Sequence, residues 1–372
     1  MANTLPVDSV ARNPRGVIKL NDTPIIGWID FSVESNNFYS ADTFRVTFAC
    51  NSLPKDRDAA WLSSQLEATI EIFAGFPLDP ENYSSSNLES LIYGNVDDVS
   101  YDPVNGIISL SGRDLTSKFI DNKTTEKFVN QTSSEIATLL AFRNGLNPVV
   151  TQTTAKAGKY YEIDHVNLAD QRSEWDLLTY LAHIEGFSIY VRGRDLYFAP
   201  KEEAKDVYTV EFSPANDQRG YSTLNAKQIS FSRNLVVAKG IVVTIRSWNA
   251  KQKAGFTVSY PSKPRTISPG ASSPARESQI YSYTIANLSS EAALQRAQKL
   301  HEEITQHEMK LEMQLPASTE LTFESVINMI GTGTAFDQKY YPDSINRRMD
   351  MSSGYTMSVS AKNHSPESEV QL

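Results

Sequence analysis

The most informative part of the sequence, residues 91–121, reads LIYGNVDDVSYDPVNGIISLSGRDLTSKFID. Apolar and polar residues alternate on both sides of Asn105-Gly106, and this dipeptide is the strongest short signal for the turn of a β-hairpin. After Gly112 the alternation stops and the spacing of apolar residues changes toward that of helices. The stretch therefore predicts an antiparallel sheet that ends near residue 112 and is followed by a unit containing helices.

The segment before this hairpin has the same alternating pattern. Thr43–Cys50 and Leu66–Phe73 each place every second residue on one apolar face, as a strand with one buried side does. A short helix is predicted between them at Ala59–Gln65. Residues 1–112 are therefore predicted to form a first antiparallel β-meander of barrel or sandwich type.

The middle of the chain carries two helix starts. Residues 132–135, TSSE, and residues 173–176, SEWD, form capping boxes, in which two side chains satisfy the free amides of a first helical turn. Gly186 ends the second helix, and a hairpin rich in aromatic residues follows at 187–198. Residues 113–208 are therefore predicted to form a compact α+β unit.

The C-terminal part returns to strands and adds one long helix, which starts at Ser289 or Ser290. An apolar stripe at helical spacing predicts that this helix lies across a sheet or a barrel mouth; the stripe consists of Ala293, Ala297, Leu300 and Ile304. The predicted strands are Gln228–Ser232, Leu235–Ala238, Gly240–Arg246, Lys310–Leu315, Leu321–Ile330, Ser344–Met351 and Tyr355–Ala361. These elements assign 209–250 and 280–363 to a second β-barrel, 251–279 to a loop or insertion rich in Pro, Ser and Gly, and 364–372 to a C-terminal tail.

Two hairpins far apart in the sequence resemble each other. The segment 98–111 and the segment 343–360 each begin with an aspartate and have a glycine-containing turn before the second strand. Two related barrels would produce this echo, but strand-turn-strand patterns also recur by chance. The sequence leaves both readings open.

The charge of the chain is unevenly distributed. The formal net charge is −9, which disfavours general binding to nucleic acid. Residues 221–276 contain no Asp or Glu, and their basic residues are Lys227, Arg233, Lys239, Arg246, Lys251, Lys253, Lys263, Arg265 and Arg276. This basic segment is either a solvated strand face or a surface that docks on an acidic neighbour, which could be another subunit or passing DNA.

No residue pattern predicts catalysis or metal binding. His301 and His307 are six residues apart on the long helix and so diverge, whereas a helical zinc site needs a spacing of four. The neighbouring pairs Asp97-Asp98 and Glu302-Glu303 point apart for the same geometric reason. Gly331-Thr332-Gly333 lacks the lysine of a phosphate-binding loop, and Cys50, the single cysteine, ends an apolar strand. We therefore predict no catalytic, cofactor-binding or metal-binding residue, no cofactor and no enzymatic activity.

The N-terminus and the hydropathy pattern bear on location. Residues 1–8 lack a basic region followed by an apolar stretch, and no window of the sequence is apolar over the length of a membrane-spanning helix. The sequence predicts neither conventional export nor membrane insertion.

Three stretches resemble one family in order along the chain. SLSGRDLTSKFID at 109–121, the helix and aromatic hairpin at 175–198, and IGTGTAFDQKYY at 330–341 are similar to phage late control protein D. That protein is the baseplate hub of contractile tails of the Mu type. The resemblance covers most of the chain, although each motif is short.

The resemblance implies a mainly β protein with α+β parts: two tail-tube-type antiparallel β-barrels and a middle α/β domain. It implies a homotrimer that adapts a sixfold tail tube to a threefold central spike and leaves a channel through which DNA passes without specific binding. The implied partners are the tail tube protein or a tube-terminating baseplate protein, the spike protein and, as a further candidate, the tape measure protein. The implied location is the virion tail baseplate, assembled in the host cytoplasm.

Two other classes of function remain open at this point. A peptidoglycan-degrading tail enzyme could bring carboxylates together across a groove that the sequence does not reveal. A carbohydrate-binding β module would make use of surface tyrosines. The expectation of an acidic channel wall, with the basic segment facing outward or toward a protein partner, belongs to the hub reading alone.

Overall fold

The computed structural model of the chain consists of β-sheets with a smaller helical part. It describes residues 13–36, 40–124, 126, 128, 130–154, 156, 172–200, 206–215, 220–235, 241–249, 254–262, 279–285, 288, 290–305 and 308–363. Strands dominate these residues, as the alternating sequence pattern predicts.

The first seven strands form one half of a large sheet, which we call the first half-sheet. Its strands are β1 Arg15–Leu20, β2 Thr23–Ile25, β3 Trp28–Asn36, β4 Thr43–Ala49, β5 Thr69–Gly75, β6 Glu89–Asp102 and β7 Ile107–Asp114. Helix α1, Ala59–Ser64, lies between β4 and β5 and begins at Asp58, whose side chain accepts the Trp61 amide. The hairpin predicted at Asn105-Gly106 is confirmed as β6–β7, and Gly106 takes the positive φ of 64° that its turn requires.

The middle unit packs helices on a small mixed sheet. Its elements are α2 Thr116–Asp121, β8 Lys123–Thr124, α3 Ser133–Arg143, β9 Asn147–Val150, β10 Arg172–Ser173, α4 Glu174–Glu185, β11 Phe187–Arg192 and β12 Asp195–Pro200. Both predicted capping boxes are present, at Thr132 and Ser173, and Gly186 ends α4 in the left-handed conformation. The unit has its own hydrophobic core, which includes Trp175.

The C-terminal part contains a second half-sheet and an insertion. The elements in chain order are β13 Asp206–Ser213, β14 Thr223–Leu224, β15 Gln228–Arg233, β16 Ile241–Asn249, β17 Ala254–Tyr260, β18 Gln279–Thr284, α5 Ser290–Thr305, β19 Met309–Pro316, β20 Ser325–Ile330, β21 Lys339–Asp350 and β22 Gly354–Lys362. Strands β13–β15 and β19–β22 form the second half-sheet, and β16–β18 form a separate three-stranded sheet covered by α5.

The two half-sheets share one hydrophobic core and one continuous backbone ladder. Together they make a 14-stranded sheet, and Phe31 of the first half and Ile345 of the second are fully buried in the same cluster. The first half-sheet is rolled up: a Cβ at Gly16 of β1 would lie 3.0 Å from a ring carbon of Phe31 in β3. In the described part of the chain this roll is closed by side-chain packing, since no ladder joins β1 or β2 to β3.

Two predictions for the C-terminal part need correction. Residues 251–279, predicted as a loop or insertion, contain strand β17. The predicted second barrel, 209–250 and 280–363, loses β16, β18 and α5 to the insertion, whose separate core includes Ala293 and Ala297. Alternation shows that a strand has one buried face but not which sheet it joins, and this is why these strands were misassigned. Of the strand predicted at Leu235–Ala238, Leu235 lies in a turn and residues 236–238 lie outside the described part.

Candidate assembly interface

The two half-sheets have the same strand order. The path through the first is β2-β1-β5-β6-β7-β4-β3, and the path through the second is β14-β13-β20-β21-β22-β19-β15. When the strands of each half are numbered one to seven along the chain, both paths read 2-1-5-6-7-4-3. One ladder differs in direction: β1 pairs with β5 antiparallel, whereas β13 pairs with β20 parallel. Of the two readings of the sequence echo, the structure therefore favours a duplicated unit.

The hairpins between the sixth and seventh strands show the duplication residue by residue. Asp102 Oδ1 accepts the amides of Val104 and Asn105, and Asp350 Oδ1 accepts those of Ser352 and Ser353. The Ser352 hydroxyl also donates to Asp350 Oδ1. Hydrogen bonds lower the pKa of both carboxyl groups, chiefly that from the Asn105 amide for Asp102 and that from the Ser352 hydroxyl for Asp350. Asp102 and Asp350 are therefore equivalent positions.

This equivalence corrects the alignment drawn from the sequence. The segments 98–111 and 343–360 were aligned on their first aspartates, Asp98 and Asp343. The turns place Asp98 level with Asn346 instead, three residues further along. Aspartate is common at the start of a tight turn, and the sequence does not show which aspartate holds that place.

The half-sheets are joined by an antiparallel ladder between β3 and β21, which we call the seam. Residues Ser344–Asp350 face Asn36–Asp30 in continuous register. On the core side of the seam, Met349 lies opposite Phe31 and both side chains are buried. The seam is thus a contact between the third strand of one half and the sixth strand of the other.

Among the described residues, no strand lies beside the equivalent edges at the far sides of the chain. The ladder between β5 and β6 ends at Asn95, so Asp97–Asp102, which we call the outer segment of β6, pairs with β7 alone. Strand β15 pairs with β19 alone among the described residues. Unpaired strand edges are ready to form a ladder with another chain.

Apolar side chains are exposed at the outer segment of β6. Val99 is 38% exposed and Tyr101 51%, although both lie on the face that carries the core. Leu66, which lines the same shallow surface pocket as Val99, is fully exposed. A cluster of this kind on a strand edge indicates a contact surface. This surface was not predicted from the sequence, because Val99 and Tyr101 continue the same alternation as the paired part of β6.

A cleft separates the seam from the middle unit. Its volume is about 540 Å³, and its walls include Asp42, Asp114, Tyr190 and Arg347. Burial raises the pKa of Asp42 to about 6, and burial together with the nearby Asp42 raises the pKa of Asp114 well above its usual value.

The two cleft carboxyl groups are occupied by local hydrogen bonds. Asp42 accepts the Asn36 amide at 2.8 Å, and Asp114 accepts the amide and hydroxyl of Thr116 at 3.1 and 2.9 Å. These bonds hold the end of β3 against the residue before β4 and fix the start of α2. We therefore interpret Asp42 and Asp114, two of the six acidic residues that line the cleft, as structural acceptors.

The residues that were weighed in the sequence as metal ligands, acid/base pairs or a phosphate loop have packing or hydrogen-bonding roles where the structure describes them. His301 is buried with its ring 5.2 Å from that of Tyr260, and His307 lies outside the described residues. Asp97 forms an ion pair with Arg113 at 2.7 Å. The Gly331–Gly333 stretch is the predicted turn after a strand, and it is held by Asp337, which accepts the Gly333 amide. Within the described ranges, no three His, Cys, Asp or Glu side chains converge on a metal position.

The basic segment is only partly described. Arg233 ends β15 and donates two hydrogen bonds to the buried Glu308, at 3.0 and 2.7 Å, so its charge is used inside the fold. Lys227 precedes β15, and Arg246 lies on β16 of the insertion. The remaining basic residues, Lys239, Lys251, Lys253, Lys263, Arg265 and Arg276, lie outside the described residues.

Comparison with solved structures gives matches over nearly the whole chain. A tail protein from Neisseria meningitidis MC58 is 13% identical, with a TM-score of 0.67 over 94% of this chain and 97% of its own. The 43 kDa tail protein of prophage MuSo2 from Shewanella oneidensis is 16% identical, with a TM-score of 0.64 over 94% of this chain and 98% of its own. The chain has the fold of phage tail proteins.

A further match extends the fold to secretion machinery. A type VI secretion component of E. coli, described as structurally similar to the T4 phage tail proteins gp27 and gp5, is 9% identical, with a TM-score of 0.52 over 95% of this chain and 79% of its own. No family model matches the chain, and no curated protein matches it by sequence. The predicted resemblance and the predicted mainly β fold class are confirmed at the level of the fold. The helices within the described ranges are too short or too polar to cross a bilayer.

Proposed function

We propose that the chain is a structural subunit of a phage tail baseplate and that three copies close into a hub ring. The observation that carries this proposal is the duplicated strand order together with the seam. Each half-sheet offers a third-strand edge and a sixth-strand outer segment, and the seam already joins one such pair within the chain. A head-to-tail contact of this kind either closes into a ring or continues as a filament.

Three chains supply six equivalent half-sheets, which matches a sixfold tube on one side. The ring as a whole has threefold symmetry, because the two halves of each chain differ in the elements attached to them. A threefold spike can therefore dock on the other side. The tail tube protein or a tube-terminating baseplate protein, the spike protein and the tape measure protein are the partners proposed for these surfaces.

The face of the 14-stranded sheet that is opposite the shared core, which we call the bare face, is proposed to line the channel. The shared core lies on the opposite face of the sheet. The middle unit reaches the bare face at β6 and β7, where Tyr93 packs against the core of the middle unit and Arg113 pairs with Asp121 of α2, so the proposed channel wall is the remainder of this face. Hydroxyl groups are frequent on the bare face, among them Ser32, Thr47, Ser109, Ser111, Ser358 and Ser360.

The charges on the bare face have both signs, which changes the proposed channel wall. Carboxylates such as Glu34, Asp98 and Glu312 alternate with cations such as Arg45, Lys310 and Lys362. The acidic wall expected for the hub is therefore replaced in this proposal by a polar wall of mixed charge. Such a wall offers no continuous basic track to phosphates, so DNA would pass without adhering. The proposed location is the virion tail baseplate, with assembly in the host cytoplasm.

The test is the mass and shape of the purified chain. Light scattering at micromolar concentration should give the mass of three chains, and class averages should show a threefold ring with an open centre. A monomer, or a ring with a sealed centre, would contradict the proposal. Clearing of cell walls in a zymogram would support the lytic enzyme instead, and glycan binding by a monomer would support the carbohydrate module.

A further inference from the structure

We propose that each contact in the ring is an antiparallel ladder between the outer segment of β6 in one copy and β15 in the next, in the register of the seam. This inference rests on the proposed ring and adds to it the strands and the residue pairs that meet. The occupant of each free edge is therefore a second copy of this chain.

The register follows from the duplication. Arg45 and Gln314 hold the same place in the fourth strand of each half, and they face Ser32 and Gln228 of the third strand. Ser32 faces Arg348 across the seam. Arg348 lies two residues before Asp350, and Ser100 lies two residues before the equivalent Asp102. Ser100 of one copy should therefore face Gln228 of the next.

The neighbouring pairs are then Val99 with Ile229 and Asp98 with Ser230. Val99 lies opposite the fully buried Leu110, so it is on the core face of β6. Ile229 packs against the shared core, so it is on the core face of β15. The register thus joins apolar to apolar on one face and polar to polar on the other, and a slip of one residue would reverse this match.

Charge gives independent support for the same partner. Besides Asp97, which pairs with Arg113, the outer segment of β6 carries Asp98 and Asp102. Strand β15 lies in a segment without acidic residues and is preceded by Lys227. When the register of the seam is applied to the contact between copies, Lys227 lies opposite Tyr101, and the Lys227 amine can approach the acidic strand. The basic segment would then dock on an acidic neighbour, which is another subunit. The ladder would also cover the exposed Val99 and Tyr101.

Disulfide trapping tests the register directly. Directly opposed residues of an antiparallel pair bring their Cβ atoms to within about 4.5–5.5 Å, close enough for oxidation to trap a disulfide. In a Cys50→Ser background, the double variant Ser100→Cys/Gln228→Cys should give covalently linked trimers after oxidation with copper phenanthroline. A mixture of the two single variants should give linked dimers, which provides a second readout if the double variant folds poorly.

Two matched controls make the result specific. Ser32→Cys/Arg348→Cys is the equivalent pair at the seam, and it should form a disulfide within one chain whatever the oligomeric state. Ser100→Cys/Ile229→Cys is one residue out of register and places the thiols on opposite faces. It should link at least tenfold less chain than the in-register pair.

The outcomes separate this inference from the proposed function. Linked trimers from the in-register pair, with little linkage from the out-of-register pair, support the ladder. A protein that has trimer mass and an oxidised seam control, but shows no linkage through Ser100 and Gln228, overturns the ladder and leaves the ring standing. A monomer with an oxidised seam control overturns both.

Discussion

The replacement of Gly112 by alanine tests the close approach of β6 and β7 in the SGRD stretch. A Cβ at Gly112 would overlap the carbonyl oxygen of Asn95, and it would lie 3.0 Å from the Asn95 carbonyl carbon and 2.8 Å from Phe44 Cζ. The obstacle is mostly backbone, which cannot rotate away as a flexible side chain does. The two strands must therefore separate beside the β-bulge between Val96 and Asp98.

The expected loss in the free energy of unfolding is at the upper end of the range for overpacking a protein core. Insertion of a methyl group into a packed site costs about 1–3 kcal/mol, and a displacement of the backbone ladder takes Gly112→Ala to about 3 kcal/mol. Gly75→Ala is the matched control, because Gly75 is a buried glycine of the same half-sheet whose Cβ would come no closer than 3.6 Å to Leu88. That methyl group fits, and the variant should be neutral or more stable by up to about 1 kcal/mol.

Thermal unfolding followed by circular dichroism measures the difference. For a chain of 372 residues that unfolds as one unit, a loss of about 3 kcal/mol corresponds to a fall in Tm of roughly 4 °C, while the Gly75→Ala control should stay within about 1.5 °C of the parent protein. The reasoning is refuted if Gly112→Ala unfolds within about 2 °C of the parent, or if both variants lose stability equally.

Three further predictions concern assembly, a buried ion pair and pH. Val99→Asp should abolish trimers in light scattering while changing the unfolding free energy of the chain by less than about 1 kcal/mol, because Val99 is 38% exposed in the single chain but covered in the ring; trimers that persist would contradict the ladder. Arg233→Ala should cost about 2–3 kcal/mol in urea unfolding by leaving the buried Glu308 carboxylate unpaired, and Arg233→Ala/Glu308→Gln should recover at least half of that loss; equal losses in the single and double variants would count against the pair. The pKa of Asp42, raised by burial to about 6, means that the folded state holds a proton that the unfolded state releases near pH 4, so this group lowers stability by up to about 3 kcal/mol as pH rises from 4 to 6. Asp42→Asn should therefore be more stable than the parent at pH 7 and equal to it at pH 4, and an equal difference at both pH values would contradict this assignment.

The features that the sequence predicted are those decided by a few neighbouring residues. The Asn105-Gly106 turn and the capping boxes at Thr132 and Ser173 depend on hydrogen bonds within four residues, so the sequence contains all their partners. The stripe of α5 is similar, because its spacing alone sets which side faces the insertion sheet, and Ala293 and Ala297 are buried there as predicted.

The features that the sequence did not predict depend on pairing between distant strands. The seam joins β3 to β21, strands about 300 residues apart, and alternation in either strand is compatible with any neighbour. The same ambiguity assigned β16 to the wrong sheet, and β18 was not predicted as a strand. The candidate interface could not be predicted for a further reason: an edge is defined by the absence of a neighbouring strand, and the outer segment of β6 has the same sequence pattern as its paired part.

The positions of the attached elements explain how duplicated halves can serve a threefold ring. The third and fourth strands of the first half, β3 and β4, are separated by only six residues, 37–42. The equivalent strands of the second half, β15 and β19, are separated by the whole insertion with β16–β18 and α5. The middle unit, in contrast, follows the last strand of the first half and precedes the first strand of the second.

Large elements therefore attach at chain positions that differ between the halves, whereas the strand order that forms the proposed channel is the same in both. Six similar half-sheets would present a nearly uniform inner wall, while the insertion would recur only three times around the outside. A gene duplication followed by insertion into one copy is sufficient to give this combination. The seam within the chain and the proposed ladder between chains use the same pair of strand edges, so one type of contact serves both places.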